Sequence, residues 1–362
     1  MGCAASKADA ASERPTDLAT SSPDQPAEEP LAGPLSRSEI DGRIVKSGPE
    51  EFELAKTDGG YKLRYACVSQ RGYYPEDLYK ANQDSFVVIP DFNGSTGDIV
   101  LGVFDGHGAE GDLCSRFVRK HIGDELRAAM QKGDRTPGEA LEAAYVKLNS
   151  KLHAEESCDA EMSGTTAVVA YFCGGELHVA NAGDSRIVLG ERRGARVVAV
   201  PLSSDHTPYR KDERERCKAA GACVRSSRML DGKRTQWSPA WEATLGTPEQ
   251  EDDTGDPPRL YAKDLRGPGC AFTRSIGDAA GEAIGVYAVP ELVSKHLREP
   301  DQFVVLASDV RATAVTPRRR ISCHARCAVC APLRHTPLST HPDYACAWAG
   351  GVGVSLVAGG GG

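Results

Sequence analysis

Four aspartates at the ends of apolar runs are the residues of this sequence best suited to chemistry. They are Asp84 in NQDSF, Asp105 in VFDGHG, Asp184 in NAGDSR and Asp309 in LASD. A single Asp in such a place usually serves a turn or a cap. Because strands that pair in one sheet bring their ends together, four of them indicate clustered carboxylates, whose mutual repulsion a bound cation would offset. Oxygen ligands without a Cys or His spacing favour a hard ion such as Mg²⁺ or Mn²⁺.

Two residues that follow Asp105 extend this candidate site. Gly106 would let the backbone turn tightly and could offer its carbonyl oxygen as a further ligand. His107 could donate a proton to a leaving group, although it could equally be an ordinary loop histidine with satisfied hydrogen bonds.

The apolar periodicity predicts the elements that position these residues. YKLRYACVS and DSFVVIPDF alternate like strands, and DIVLGVFDGHG has the pattern of a buried strand. The spacing over 109–131 predicts an amphipathic helix, and 136–155 predicts a second one. The second helix should begin with Thr136 as N-cap, Pro137 at N1 and Glu139 at N3. Strands, then two helices, then more strands predict an α+β protein whose helices pack against antiparallel sheets.

Composition excludes several classes of protein. The net charge of −8 over 362 residues argues against a general nucleic-acid binder. The 12 cysteines are scattered and follow no secretory segment, which favours a reducing cytoplasmic compartment over a disulfide framework. No apolar run reaches the length of a membrane span.

The order of these motifs resembles the metal-dependent protein Ser/Thr phosphatases of the 2C type, the PPM family. The motifs are KANQDSF, VFDGHGAEG, SGTTAVV, VANAGDSRIVL, LSSDHTP, AGACV, AFTRSIGD, GVYAVPEL and FVVLASD, within about residues 61–309. The resemblance implies a sandwich of two antiparallel sheets flanked by helices, with two Mn²⁺ or Mg²⁺ ions, and a third in some members, at one end. It implies that a water activated by the two ions hydrolyses phosphoserine and phosphothreonine in phosphoprotein substrates.

The resemblance also implies a set of metal ligands. Asp105 would bridge the two ions, and the Gly106 carbonyl would bind one of them. Asp309 would bind the other ion through its carboxylate, and Asp84 stands where the family has an acidic pair or a Gln-Asp. Asp184 matches a ligand of an additional, weaker ion.

Two further roles follow from the resemblance. His107 would protonate the departing Ser or Thr oxygen, which is a poor leaving group. Many members carry a phosphate-binding Arg before the acidic pair, and Lys80 is the substitute here, since a Lys can hold a phosphate as a point charge.

The polar insertion at 226–268 replaces the region that shapes substrate choice in the family.

The resemblance ends at Asp309. Val310 replaces a Gly of the family pattern, and no Asp-Asn pair follows to supply the last metal ligand. The sequence therefore leaves two functions open, an active phosphatase and a catalytically weak or inactive phosphatase-like binding protein. The acidic charge and the specific motifs disfavour a third, a two-metal nuclease or phosphodiesterase.

Residues 310–362 are rich in Arg at first and are unlike the rest of the chain. Their composition is compatible with a low-complexity extension, with a zinc module on Cys323, Cys327 and Cys330, or with translation of an unspliced intron or a shifted frame. The family's closing strands would then be missing, which predicts open sheet edges.

The start of the chain, MGCAASK, fits an N-myristoylation signal on Gly2. One myristoyl chain binds membranes only marginally, so Cys3 beside it is the candidate for palmitoylation. The alternative is an ordinary disordered start. Residues 1–45 are predicted to be a flexible tether because they lack apolar surface to bury. We expect a monomer in the cytoplasm, associated with the membrane surface through its lipid.

Overall fold

The computed structural model describes most of the chain from residue 44 onwards. The described residues are 44–53, 61–71, 80–95, 97–133, 135–232, 256–308, 311–316, 320–324, 327–335, 344–348 and 354–358. The helices are α1 (Gly111–Gln131), α2 (Pro137–His153), α3 (Lys211–Ala219), α4 (Ser227–Leu230) and α5 (Ala279–Glu282), with a 3-10 turn at Phe92–Gly94. The strands are β1 (Ile44–Glu53), β2 (Tyr61–Gln70), β3 (Asp84–Ile89), β4 (Ile99–His107), β5 (Gly164–Thr165), β6 (Ala167–Cys173), β7 (Glu176–Ala182), β8 (Arg186–Arg193), β9 (Arg196–Pro201), β10 (Cys223–Arg225), β11 (Arg259–Tyr261), β12 (Pro268–Cys270), β13 (Ile276–Gly277), β14 (Glu291–His296), β15 (Asp301–Ala307), β16 (Arg311–Thr316), β17 (Arg320–His324), β18 (Cys327–His335), β19 (Tyr344–Trp348) and β20 (Val354–Ala358).

A seven-stranded antiparallel sheet carries most of the predicted site. Its order is β13-β5-β4-β6-β7-β14, and β3 also pairs with β4. Strand β4 is buried, as its apolar run predicts. Its side chains alternate in direction, as they must in a strand: Leu101 and Val103 join one core cluster, and Val100 and Phe104 join another. The sheet is therefore covered on both faces.

A six-stranded sheet covers the first of these faces. Its order is β1-β2-β18-β15-β8-β9. Leu63, Leu189, Val304 and Leu306 from this sheet are fully buried in one apolar cluster with Leu101. The predicted α+β sandwich of two antiparallel sheets is thus confirmed.

Helices α1 and α2 pack together over the second face. The predicted capping box is confirmed: Thr136 N donates to Glu139 Oε2 at 2.8 Å, and Glu139 N donates to Thr136 Oγ1 at 3.3 Å. The buried Tyr145 hydroxyl donates to Ala180 O at 2.9 Å, which ties α2 to β7. No helix among the described residues has the length and apolar character needed to cross a membrane.

Residues 310–362 supply a strand to the six-stranded sheet, at a position where the sequence predicts an open edge. Strand β18 lies between β2 and β15, and its Val329 is buried and aligned with Cys67 on one side and Leu306 on the other. The backbone of β15 is therefore paired on both sides. The sequence CAVCAPLRH shows no clear strand pattern because Pro and Arg interrupt its apolar residues. The predicted end of the phosphatase-like domain at residue 309 stays a prediction.

Strand β1 begins well before residue 61, where the alternating pattern starts. It pairs with β2, and its register shifts between Ser47 and Glu50, at the Gly-Pro step. A Pro cannot donate to the ladder and is found at edges and bulges. This irregularity explains why the sequence pattern does not reveal the strand.

Candidate functional site

The ends of β3 and β4 bring two of the predicted carboxylates together. Asp84 and Asp105 lie directly opposite each other in the antiparallel register. Asp84 is buried, with 9% of its surface exposed, and Asp105 is half-buried. Like charges directly opposite on a sheet repel each other. A cation bound by both carboxylates would offset that repulsion.

Side-chain hydrogen bonds hold the backbone at both aspartates. Asp84 N donates to Asn82 Oδ1 at 3.2 Å, and Asp105 N donates to Thr166 Oγ1 at 3.1 Å. The Thr166 hydroxyl lies 2.6 Å from Ser185 Oγ, so the start of β8 joins the same network. The site is therefore built from the ends of several strands.

Gly106 belongs to strand β4 rather than to the tight turn that the sequence suggests. Its N–H donates to Gln83 O at 3.0 Å. A Cβ at this position would lie 1.9 Å from Gly111 O and 2.7 Å from Gln83 O. The close approach of two other backbone segments, not a left-handed φ, therefore requires a glycine here.

His107 contacts a carboxylate that the sequence analysis did not assign. Its Nε2 is 2.7 Å from Asp278 Oδ2, and its ring packs against Phe272 with centroids 4.1 Å apart. Burial lowers the pKa of His107, but the negative charge of Asp278, with smaller effects from Asp105 and Asp184, raises this pKa above its ordinary value. The contact with Asp278 therefore stabilises the positive charge of a protonated His107 ring.

The signal for Asp278 was present in the sequence as a fifth acidic turn. AFTRSIGD carries it directly after the two-residue strand β13, and the motif has no long apolar run before it. Strand-end patterning therefore did not single out this aspartate.

Ser308 brings the end of β15 to the first aspartate of the site. Its hydroxyl donates to Asp84 Oδ2 at 3.4 Å. Asp309 is the next residue, but it lies outside the described residues, so its assignment as a metal ligand stays a prediction. Gly2 and Cys3, the predicted lipidation residues, also lie outside them.

Two other predicted residues, Lys80 and Asp184, also lie in the part of the chain that the structure describes. Lys80 is half-buried, four residues before Asp84. Asp184 is half-buried in the turn between β7 and β8, and its charge acts on His107. Their predicted roles with phosphate and with an additional ion stay predictions.

The donors fit a hard divalent cation that keeps several of its own waters. Asp84 and Asp105 offer carboxylate oxygens side by side, and Mg²⁺-like ions often bind through one or two carboxylates. Within the part of the chain that the structure describes, no group of three or more His, Cys, Asp or Glu residues is placed to hold a metal ion. Asp309, which completes the predicted set, is not in that part.

A buried ionic network anchors the segment that leads to Asp278. Glu213 of α3 is 2% exposed and accepts hydrogen bonds from Arg274 Nη2 at 2.8 Å and from Thr273 Oγ1 at 2.6 Å. Burial disfavours its charge, but Arg274 and Arg216 hold the pKa of Glu213 well below its ordinary value. The network therefore fixes the residues just before the site.

The motifs LSSDHTP and GVYAVPEL contribute a second ionic cluster. Glu291 accepts two hydrogen bonds from Arg210, at 2.7 and 3.0 Å, and lies 3.1 Å from His206 Nε2. Burial would raise the pKa of Glu291, but the close contact with His206 and the hydrogen bonds from Arg210 lower it to about 2. The ionic contacts between these two motifs therefore stabilise the fold.

Comparison with known proteins finds relatives of this chain by sequence. Residues 78–310 match the family described as "PP2C: Protein phosphatase 2C". A "Probable protein phosphatase 2C 35" of Arabidopsis thaliana is 38% identical over 281 residues, which are 76% of this chain and 77% of that protein. A "Probable protein phosphatase 2C 64" of Oryza sativa subsp. japonica is 34% identical over 235 residues, 63% of this chain and 49% of that protein.

Solved structures with the same architecture are more distant in sequence. The serine-threonine phosphatase 2C from Toxoplasma gondii aligns with a TM-score of 0.53 at 16% identity, over 74% of this chain and 82% of that one. A C. elegans sex determining protein aligns with a TM-score of 0.50 at 18% identity, over 68% of this chain and 52% of that one. At these identities the likeness concerns the fold alone.

Proposed function

Because this chain belongs to the protein phosphatase 2C family, we propose that it hydrolyses phosphoserine and phosphothreonine in proteins with the help of Mn²⁺ or Mg²⁺. The family consists of metal-dependent serine/threonine phosphatases, which are phosphoric monoester hydrolases. The observation that supports the proposal is the pairing of Asp84 with Asp105 at the end of the strand that carries His107.

The residues that would hold the ions are Asp84, Asp105, the Gly106 carbonyl, Asp309 and, for an additional ion, Asp184. When bound, such ions lower the pKa of a water and offset the negative charge of the phosphoryl group. The strand ends keep the carboxylates in register, and the hydrogen bonds to Asn82 and Thr166 hold the backbone that carries them.

Two side chains would act on the substrate directly. His107 would donate its proton to the departing serine or threonine oxygen, which leaves poorly as an alkoxide. Lys80 would attract the phosphate as a point charge near the paired aspartates. A proton donor and a cation near the phosphate are together suited to cleavage of an alkyl phosphate ester.

The purified chain should release phosphate from a phosphoserine peptide only when Mn²⁺ or Mg²⁺ is present. We expect removal of the ion by a chelator to lower the rate by at least about a hundredfold, because such ions supply several kcal/mol of charge stabilisation. Adding the ion back should restore the rate. Equal phosphate release with and without chelator would contradict the proposal.

The alternative function is a phosphatase-like binding protein with weak or no activity. It is supported by the family match, which stops at residue 310, and by residues 310–362, among which no Asp-Asn pair occurs. The same assay separates the two functions. A chain that binds the phosphopeptide but shows no turnover that depends on Mn²⁺ is the binding protein.

We also propose that the chain is attached to a membrane surface through lipids on Gly2 and Cys3. An alkyne-tagged myristate should label the wild-type protein in cells but not the Gly2→Ala variant, which should move to the soluble fraction. The Cys3→Ser variant should keep the label but bind reversibly, since one acyl chain gives only marginal affinity. A Gly2→Ala variant that stays with the membrane would refute this anchor.

A further inference from the structure

We propose that Asp278 is a positioning residue for His107, holding Nε2 of the ring so that Nδ1 delivers the proton to the departing serine or threonine oxygen. The inference rests on the proposed phosphatase function. Its basis is the 2.7 Å contact between His107 Nε2 and Asp278 Oδ2. The His107 side chain is 24% exposed and that of Asp278 only 6%, so the carboxylate lies on the protein side of the ring.

The position of Asp278 in the chain would suggest another role, which its side chain does not perform. Asp278 directly precedes helix α5, where an aspartate commonly caps the helix by accepting a backbone hydrogen bond. Here the side chain makes no capping hydrogen bond, and the backbone adopts the left-handed conformation with φ 56°. Helix capping therefore does not explain this aspartate, whereas its contact with His107 does.

Three neighbouring residues shape the place that the carboxylate occupies. Asp278 N donates to Ser163 O at 2.9 Å, and Ser275 Oγ donates to Asp278 Oδ2 at 2.6 Å. A Cβ on Gly164 would lie 2.1 Å from Asp278 Oδ2, so only a glycine leaves room for the carboxylate. The chain from β5 to α5 is thus built around the Asp278 carboxylate.

A second contact limits the remaining motion of the histidine ring. Phe272 packs on it with an interplanar angle of 36° and centroids 4.1 Å apart. The hydrogen bond to Asp278 fixes the direction of Nε2, and the Phe272 ring restricts rotation of the imidazole plane. Both partners come from the segment that the Glu213 network anchors.

The hydrogen bond assigns different tasks to the two ring nitrogens. Nε2–H donates to Asp278, which leaves the Nδ1–H of the protonated ring for the substrate. As the bond from phosphorus to the serine oxygen breaks and a bond to a water oxygen forms, the leaving oxygen takes the Nδ1 proton. The neutral ring keeps its Nε2–H, and solvent returns a proton to Nδ1. An aspartate that orients a catalytic histidine in this way sets its tautomer as well as its angle.

The Asp278→Asn variant tests the inference, because asparagine has nearly the same size and tolerates the left-handed conformation. With Mn²⁺ present, kcat on a phosphoserine peptide should fall by about tenfold to a hundredfold, since correct proton donation is worth that much or more. On p-nitrophenyl phosphate, kcat should change by less than about threefold, because nitrophenolate leaves without a proton.

Two further variants separate positioning from general damage. His107→Asn should show the same selective loss, and the double variant should lose little more than either single one, since the two residues act as a unit. Asp301→Asn is the matched control. Asp301 is also a buried aspartate with a backbone hydrogen bond, from Arg298 N at 2.7 Å, but it lies at the opposite end of β15 from Ser308. The ratio of the two kcat values should not change in this control.

A measurement without turnover completes the test. In metal-free protein with ¹⁵N-labelled histidine, His107 should show a proton on Nε2 in its neutral form, and Asp278→Asn should alter this tautomer signature. Equal loss on both substrates, or an unchanged tautomer, would overturn the positioning role. A wild-type chain that cleaves neither substrate would instead refute the proposed function, and the tautomer would still report whether Asp278 holds Nε2.

Discussion

The Asp105→Asn variant should lose metal-dependent phosphatase activity while the protein stays folded. Asp105 lies opposite Asp84, and the exchange removes one of two facing charges without changing the size of the side chain. The affinity for Mn²⁺ should therefore fall, and kcat/KM on a phosphopeptide should drop by at least about a hundredfold. The hydrogen bond from the backbone N of residue 105 to Thr166 does not depend on the charge and should remain.

The stability of the metal-free protein gives this prediction a second readout. Removing one of two like charges that face each other on a sheet should raise the free energy of unfolding slightly, by about 0.2–1 kcal/mol. Calorimetric titration with Mn²⁺ and thermal unfolding without metal measure the two effects. Asp124→Asn is a matched control, since Asp124 is 72% exposed on α1 and pairs only with Arg127 among the contacts described here. Unchanged Mn²⁺ affinity in Asp105→Asn would contradict the metal site.

The Gly106→Ala variant should lose both stability and activity. The added methyl group would lie 1.9 Å from Gly111 O and 2.7 Å from Gln83 O, and these are backbone atoms that cannot rotate away. The backbone would have to shift, at a cost of about 1–3 kcal/mol or more in the free energy of unfolding. Because Asp105 and His107 flank this position, we also expect kcat to fall by more than about tenfold, as small displacements of catalytic groups are costly.

Gly138→Ala is the matched control for this exchange. Gly138 lies in the first turn of α2, and a Cβ there would meet only Leu292 Cδ1 at 3.6 Å, an ordinary contact. Alanine in a helix should leave the free energy of unfolding unchanged or raise it by about 0.4–1 kcal/mol. Urea unfolding and phosphopeptide turnover compare the two variants. If Gly106→Ala were as stable as the wild type, the backbones of Gly111 and Gln83 could not lie as close to residue 106 as described.

Local periodicity was sufficient for the elements and for part of the site. The spacing of apolar residues predicted α1, α2 and β4, and the pattern around Thr136 predicted the start of α2. The strand-end aspartates Asp84 and Asp105 could be named from the sequence because each follows or opens an apolar strand. Such patterns repeat within a few residues, so a short stretch of chain carries them completely.

Long-range contacts could not be predicted in this way. His107 and Asp278 are 171 positions apart, and Gly106 owes its identity to the backbones of Gln83 and Gly111 rather than to its own turn. Strand β18 lacks a clear pattern of its own and becomes recognisable only through its pairing with β2 and β15.

The sequence by itself thus determined the class of fold, the family and the carboxylates at the strand ends. The tertiary structure decided which of these groups meet: Asp84 faces Asp105, and Asp278 holds His107. The physical reason is that the direction of a side chain follows from the local backbone period, whereas its partner follows from sheet register and loop closure across the whole chain.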